Sequence, residues 1–405
     1  MFFGVFYTLF SITVLLSVYS PYISLLLCFP LLLLLNLGPS QTKLLKFIVL
    51  VILVFFLSYL ASSRGIFETA KDDLADYYKN FLAFSRGNYY AFFEFGGGIE
   101  VGFSFVSFLI SLLFPFCSPR LFLFIHLLVI NSFYFIFLHQ LAKRYDIKYD
   151  SLLVLVACLF LGYTGESNLL RQSYSSVLIL LALLNVTRLK YFLIILASLF
   201  HLSAIPVYIF FNYFKSINLK KLFLVLFGSF TLLLSFSIFL GPFLEQYRFL
   251  KIDAYLNGEG VDSTIIINAY KEFFIILALS FFFWLTGRCV KEYWLALLSW
   301  LLVTATFEVV MSGISLRINH MMIIFLVGPL FYFFFAKDKI LQSFFALIFV
   351  PILLFGKVYS FSTNDKEMAL FSDGVIFHST PFGYLDFVSE DIPNDKREWK
   401  RLKYN

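Results

Sequence analysis

Arg171, His201 and Arg317 are the residues of this chain best suited to chemistry, because each is an ionisable group set between long apolar runs. Arg171 lies in Gly162-Tyr163-Thr164-Gly165-Glu166-Ser167-Asn168-Leu169-Leu170-Arg171-Gln172-Ser173, a polar cluster between two short apolar segments. An ionisable residue at membrane depth costs about 3 kcal/mol on insertion scales, so Arg171 should face a cavity or a partner, and Glu166 is its natural partner. Two readings stay open. One is a buried ion pair that fixes two helices; the other is a guanidinium aimed at an anionic substrate, with Gln172 beside it. His201 stands in Phe200-His201-Leu202-Ser203 and is by type a base, although a lone histidine in a helix is more often a satisfied packing residue. Arg317, with His320, follows Gly313 in a short turn, where a planar fork of donors suits phosphate.

A second polar stretch, Ser62 to Glu100, mixes acids with aromatics: Glu68, Asp72, Asp73, Asp76, Tyr77, Tyr78, Arg86, Glu94 and Glu100. Carboxylates accept hydrogen bonds from hydroxyls while aromatic faces stack on the apolar side of a pyranose, so the mixture suits sugar binding. The alternative is a solvated amphipathic helix carrying Asp73 and Tyr77 at i,i+4. Gly96-Gly97-Gly98 reads as a flexible entry into the next helix rather than a phosphate-cradling nest.

The elements that must position these groups are helices in lipid. Of the 405 residues 60% are hydrophobic and only 14% charged, and the mean hydropathy is +0.87, too little polar surface to cover a soluble globule. Runs of spanning length, about 20 apolar residues each, fill most of the sequence. The expected segments are Phe2 to Tyr19, Tyr22 to Leu37, Leu44 to Ala61, Val101 to Phe116, Leu121 to Ala142, Leu152 to Tyr163, Tyr174 to Val186, Tyr191 to Phe214, Leu222 to Leu240, Phe273 to Leu285, Trp294 to Met311, Met321 to Phe335 and Ile340 to Phe355. The fold class is therefore an all-α polytopic integral membrane protein of about 11–13 transmembrane or re-entrant helices. Transmembrane β-strands would alternate apolar and polar, whereas Lys46 to Leu60 is apolar on every side. A single helical domain spans 1–356 with polar loops at 62–98 and 241–271, followed by a polar tail at 357–405. The first segment lacks a basic n-region and a small-residue cleavage site, so it is expected to be retained.

Cys28, Cys117, Cys158 and Cys289 lie in or beside apolar runs without a CxxC pair, and read as small buried hydrophobes rather than disulfides or metal ligands. The net charge of +6 comes from Lys and Arg in inter-helix loops such as Lys143 to Lys148, Arg188 to Lys190 and Lys215 to Lys221, and does not imply nucleic acid. Placing all three loops in the cytoplasm requires Tyr191 to Phe214 to break at Leu199 to Ser203 into two half-helices. A His-x-Ser step before Pro206 makes that break credible. The N-terminal topology stays open.

Several short motifs, in order, resemble the EpsG-like group of bacterial exopolysaccharide and O-antigen polymerases of the Wzy type. They are Asp-Asp-Leu-x-x-Tyr-Tyr-x-x-Phe at Asp72 to Phe81, Glu-x-Gly-Phe at Glu100 to Phe103, Asn-x-x-Arg-Gln at Asn168 to Gln172, Phe-His-x-Ser-Ala at Phe200 to Ala204, and a late Arg-Ile-x-x-His from Arg317 to His320. The resemblance implies a GT-C-like helical bundle in the bacterial cytoplasmic (inner) membrane. It also implies an inverting glycosyl transfer, without metal or other cofactor, that moves a glycan from undecaprenyl pyrophosphate onto a lipid-linked repeat unit, with a chain-length regulator as a further partner. The site it implies draws on His201, Asp73 and Glu100 as candidate bases and on Arg171 for charge stabilisation. Arg317, Arg248, Gln172, Tyr77, His320 and Glu166 would then bind substrate. A lipid-linked oligosaccharide flippase is the alternative from another class, and it would usually show two related halves, which this sequence lacks.

Overall fold

The computed structural model describes residues 2–17, 20–37, 43–66, 72–147, 150–185, 187–214, 224, 227–228, 231 and 320–335. Among these residues the chain is helical and forms no β-strand. It divides into two compact units, 1–202 with 345–405, and 203–344.

In the first unit, α1 (Phe2–Ser17), α2 (Pro21–Leu37) and α3 (Lys43–Ser62) pack in series, and α3 lies on α6 (Pro119–Arg144). α6 in turn carries α7 (Asp150–Phe160), the short α8 (Tyr163–Asn168) and α9 (Leu170–Leu184), and α9 carries α10 (Leu189–Phe200). The amphipathic α4 (Leu74–Ser85) packs on α5 (Val101–Leu113), with a 3₁₀ turn at Tyr89–Phe93 and a tighter one at Gly96–Gly98 between them. Leu44–Ser62 and Pro119–Arg144 are long and apolar enough to cross a membrane, at 19 and 26 residues, and further apolar helices run to 10–17 residues. The described residues are those of a helical membrane protein. Local chemistry sets the ends of α6: Ser118 Oγ accepts the Leu121 N–H at 3.1 Å, Pro119 takes the first helical position, and Lys143 and Arg144 face the C-terminal dipole.

The second unit is described at α11 (Ala204–Phe214) and at α12 (Val327–Phe335), which a π turn at Met322–Leu326 precedes. His320 is buried there and meets the Phe325 ring edge-on at 6.4 Å.

The expected break between Leu199 and Ser203 is present. α10 stops at Phe200, His201 is extended at φ −155°, and α11 starts at Ala204. Two expectations require correction. The apolar segment was expected from Tyr174 to Val186, but its helix begins at Leu170 and ends at Leu184, so Arg171 and Gln172 of the polar cluster occupy its first turn. Arg and Gln are good helix formers, and the Ser173 hydroxyl bonds the Glu166 carbonyl at 3.0 Å, which stitches α9 to α8. The helix in the acid–tyrosine stretch is not solvated either. Leu74, Tyr77, Tyr78, Asn80, Phe81 and Phe84 are buried, and Tyr78 donates to the Cys117 carbonyl at 2.7 Å. Cys28, Cys117 and Cys158 are free and buried. The expected segments from Phe273 to Met311 and from Ile340, the loop 241–271 and Cys289 lie outside the described residues.

Candidate functional site

Three residues far apart in sequence meet where three helix ends converge: Glu100 just before α5, Arg171 in the first turn of α9, and His201 just after α10. Two glycines permit the approach. A Cβ on Gly102 would lie 3.0 Å from the Phe200 ring and 3.1 Å from the Leu199 carbonyl, so only glycine lets α5 come this close to the end of α10. Gly96, at φ +58°, would place a Cβ 2.3 Å from Glu100 Cγ, so its missing side chain is the room the carboxylate occupies. All three glycines of the triplet have positive φ, and Gly98 N–H bonds the Phe95 carbonyl at 3.0 Å. The triplet is a left-handed turn that leads into α5, and it lacks the αR–αL alternation of an anion nest.

Glu100 is buried and uses both oxygens. Oε2 accepts from Arg171 Nη1 at 2.5 Å; Oε1 accepts the Leu202 N–H at 2.9 Å and lies 3.8 Å from His201 Nδ1. The helix break therefore serves the site directly, because Leu202 N–H escapes the α-helical ladder and turns to the carboxylate. Arg171 and His201 retain 21% and 13% of their side-chain exposure, against 6% for Glu100, so the open side of the cluster is the cation and the imidazole.

Aromatic rings back the guanidinium. Arg171 Cζ lies 4.6 Å from the Phe95 ring centre and 5.7 Å from that of Tyr77. Tyr77 donates to Asp73 Oδ2 at 3.3 Å, one helical turn back. Burial, and next the Asp73 charge, push the Tyr77 phenol well above its ordinary range, while Arg171 opposes them. It stays a neutral donor. Arg171 Nε is buried without an acceptor among the described residues. The cluster thus runs Asp73, Tyr77, Arg171, Glu100, His201, with one donor of the cation unspent.

Two further sets of contacts hold this cluster. Arg64 grips Asp72 with two parallel bonds of 2.8 and 2.9 Å, and Asp72 Oδ1 also accepts the Leu74 N–H at 3.0 Å, which fixes the start of α4. Arg120 binds the carbonyls of Ser62 and Arg64 at 3.2 and 2.9 Å, while Asp73 N–H bonds Asn168 Oδ1 at 3.2 Å. On the other side, Tyr174 stacks on Phe200 at 4.5 Å and its hydroxyl meets His126 Nδ1 at 3.0 Å, which holds the residue before His201.

Of the residues singled out by sequence, the structure brings together Arg171, Glu100, His201, Tyr77 and Asp73. Glu166 is corrected: it is fully buried, and Arg171 pairs with Glu100 instead, because the turn into α9 separates two residues that are near only in sequence. Gln172 is buried on α9, and His320 belongs to the second unit. Arg248, Arg317 and Glu308 lie outside the described residues. Sequence reasoning missed Phe95 and the Arg64–Asp72 pair. The signal for the latter was an arginine at the exact edge of an apolar run with an acid eight residues on. Among the described residues no three of His, Cys, Asp and Glu gather as a metal site requires.

No curated protein and no solved structure matches the chain. The model of the EpsG family matches residues 47–372, a stretch that includes every residue of this cluster.

Proposed function

The chain belongs to the EpsG family, and from that premise we propose that it is a polysaccharide polymerase of the bacterial cytoplasmic membrane, crossing it many times as a GT-C-like bundle. It transfers a glycan from undecaprenyl pyrophosphate onto the non-reducing end of a lipid-linked repeat unit of O-antigen or exopolysaccharide. The observation that carries this reading is the Glu100 carboxylate, set between the Arg171 guanidinium and the His201 imidazole at a helix break.

In this mechanism His201 takes the proton of the acceptor hydroxyl through Nε2, while Glu100, facing Nδ1, favours the imidazolium that forms. The acceptor oxygen bonds to the anomeric carbon from the face opposite the leaving group, so the configuration inverts. The carbon–oxygen bond to pyrophosphate breaks and its electron pair leaves with the lipid pyrophosphate. Arg171 stabilises that developing charge with the donors Glu100 does not use. Phe95 and Tyr77 keep the cation poorly hydrated, which strengthens its pull on phosphate. Arg317 and Arg248 are proposed to bind the rest of the pyrophosphate, with Gln172 and His320 as further substrate contacts. Asp73 sets Tyr77 rather than acting as the base. Pyrophosphate is a good leaving group, so the reaction needs no metal, and a chain-length regulator is the expected partner.

The test compares surface polysaccharide from cells with and without the gene. Loss of polymer with single repeat units still attached to the surface anchor supports the polymerase. Near-complete loss of exported repeat units points instead to a flippase and overturns the proposal.

A further inference from the structure

His126 touches none of the reacting groups, yet two of its neighbours lead straight to them. It lies on α6, fully buried, and three aromatic side chains enclose it. Its ring stacks on Phe103 with centres 4.7 Å apart and planes at 12°, meets Phe122 edge-on at 4.4 Å, and carries Nδ1 3.0 Å from the Tyr174 hydroxyl. That hydroxyl also reaches the His126 carbonyl, at 3.2 Å. A phenol has one proton, and a carbonyl can only accept. Both contacts are hydrogen bonds only if the phenol donates to the carbonyl while Nδ1–H donates to the phenol oxygen. Nε2, buried without a partner among the described residues, is then a bare lone pair rather than an orphaned N–H.

Phe103 stands three residues after Glu100 on α5, and Tyr174 three after Arg171 on α9, a spacing that makes helix neighbours. Phe103 also meets, at 4.6 and 5.6 Å, the Tyr77 and Phe95 rings that back the Arg171 guanidinium. Tyr174 stacks at 4.5 Å on Phe200, the residue before His201. We propose that His126 is a positioning residue: its ring and its Nδ1–H hold Phe103 and Tyr174 at one separation, and so set the spacing of Glu100, Arg171 and His201 at the three helix ends. A phenylalanine would fill the volume and keep the stack, but it has nothing to donate to Tyr174. The polar edge gives the brace its direction. Two hydrogen bonds fix the Tyr174 ring, and the fixed ring holds Phe200, His201 and the Leu202 N–H that Glu100 accepts. The effect on turnover rests on the roles proposed above for Arg171 and His201; the brace itself does not.

The experiment follows purified full-length protein in detergent by hydrogen–deuterium exchange at the peptide carrying the Leu202 amide, and in parallel by turnover on lipid-linked repeat units. His126→Phe and Tyr174→Phe each remove the bond between the two side chains and keep an aromatic ring in place. Either should speed exchange at Leu202 about 5-fold, the factor expected for one lost hydrogen bond. Either should also lower kcat roughly 10-fold with KM little changed, because the substrate contacts remain while the reacting groups lose register. The double variant should be no worse than the worse single, since both changes cut the same bond. With wild type active, normal exchange or normal turnover in both single variants would overturn the proposal and leave His126 as core packing. Losses that multiply in the double variant would overturn it as well. If wild type elongates nothing, the polymerase reading falls, and exchange at Leu202 alone decides the brace.

Discussion

Two arginine–carboxylate pairs sit in the same unit and look alike in sequence, yet they are built to opposite ends. Arg64 and Asp72 have fully buried side chains joined by two parallel bonds, and Asp72 Oδ1 also accepts the Leu74 N–H. Arg171 and Glu100 touch through one guanidinium nitrogen, the cation is partly exposed, and the carboxylate divides its second oxygen between a backbone N–H and an imidazole. A pair sealed from solvent at both ends holds structure. A pair whose cation stays partly open, and whose anion couples to a titratable ring, can meet a substrate. Arginine at membrane depth is thus not a functional signal by itself; how much of the guanidinium stays open to a ligand is.

Removing each arginine should break the comparison most sharply. Arg64→Ala leaves Asp72 buried and uncompensated, a cost of about 3–5 kcal/mol, so folded protein in the membrane should fall steeply when measured by quantitative immunoblot. Arg171→Ala should leave that level unchanged and abolish polymer, with Arg171→Lys recovering only part, because an ammonium cannot reproduce the fork. Full-length polymer from Arg171→Ala would remove it from the mechanism. His201→Gln tests the coupled ring: turnover on lipid-linked repeat units should drop roughly 10²-fold or more with normal expression. Near wild-type turnover would show that the imidazole only packs. Gly102→Ala should act more gently, since the added methyl must push the end of α10 away from Glu100 at a cost of about 1–3 kcal/mol. Its signature is reduced turnover out of proportion to lost protein. The smallest expected effect is none: excess EDTA should leave elongation by purified protein intact, and an activity restored only by Mg²⁺ or Mn²⁺ would contradict a metal-free transfer.

The features visible in sequence were those with a local cause. Among the described residues the apolar runs became helices, and the break at His201 followed from a polar His-x-Ser step just before Pro206. The tie between Asp73 and Tyr77 followed from i,i+4 spacing. Pairing over distance was not legible. Arg171 seemed to belong to Glu166, five residues away, whereas its true partner is Glu100, 71 residues away and seated in the room that Gly96 leaves. Nor did the sequence separate Asp72 from Asp73. Only the burial of the first against Arg64 and the half-exposure of the second assign them different tasks.

The bond from Leu202 N–H to Glu100 carries a consequence for how this protein can drift over generations. The donor is main chain, so any residue but proline at 202 supplies it, and the Leu202 side chain itself is 41% exposed. A neutral walk through sequence space can therefore rewrite position 202 freely while the acceptor at 100 stays pinned. Leu202→Pro is the one step there that closes the path.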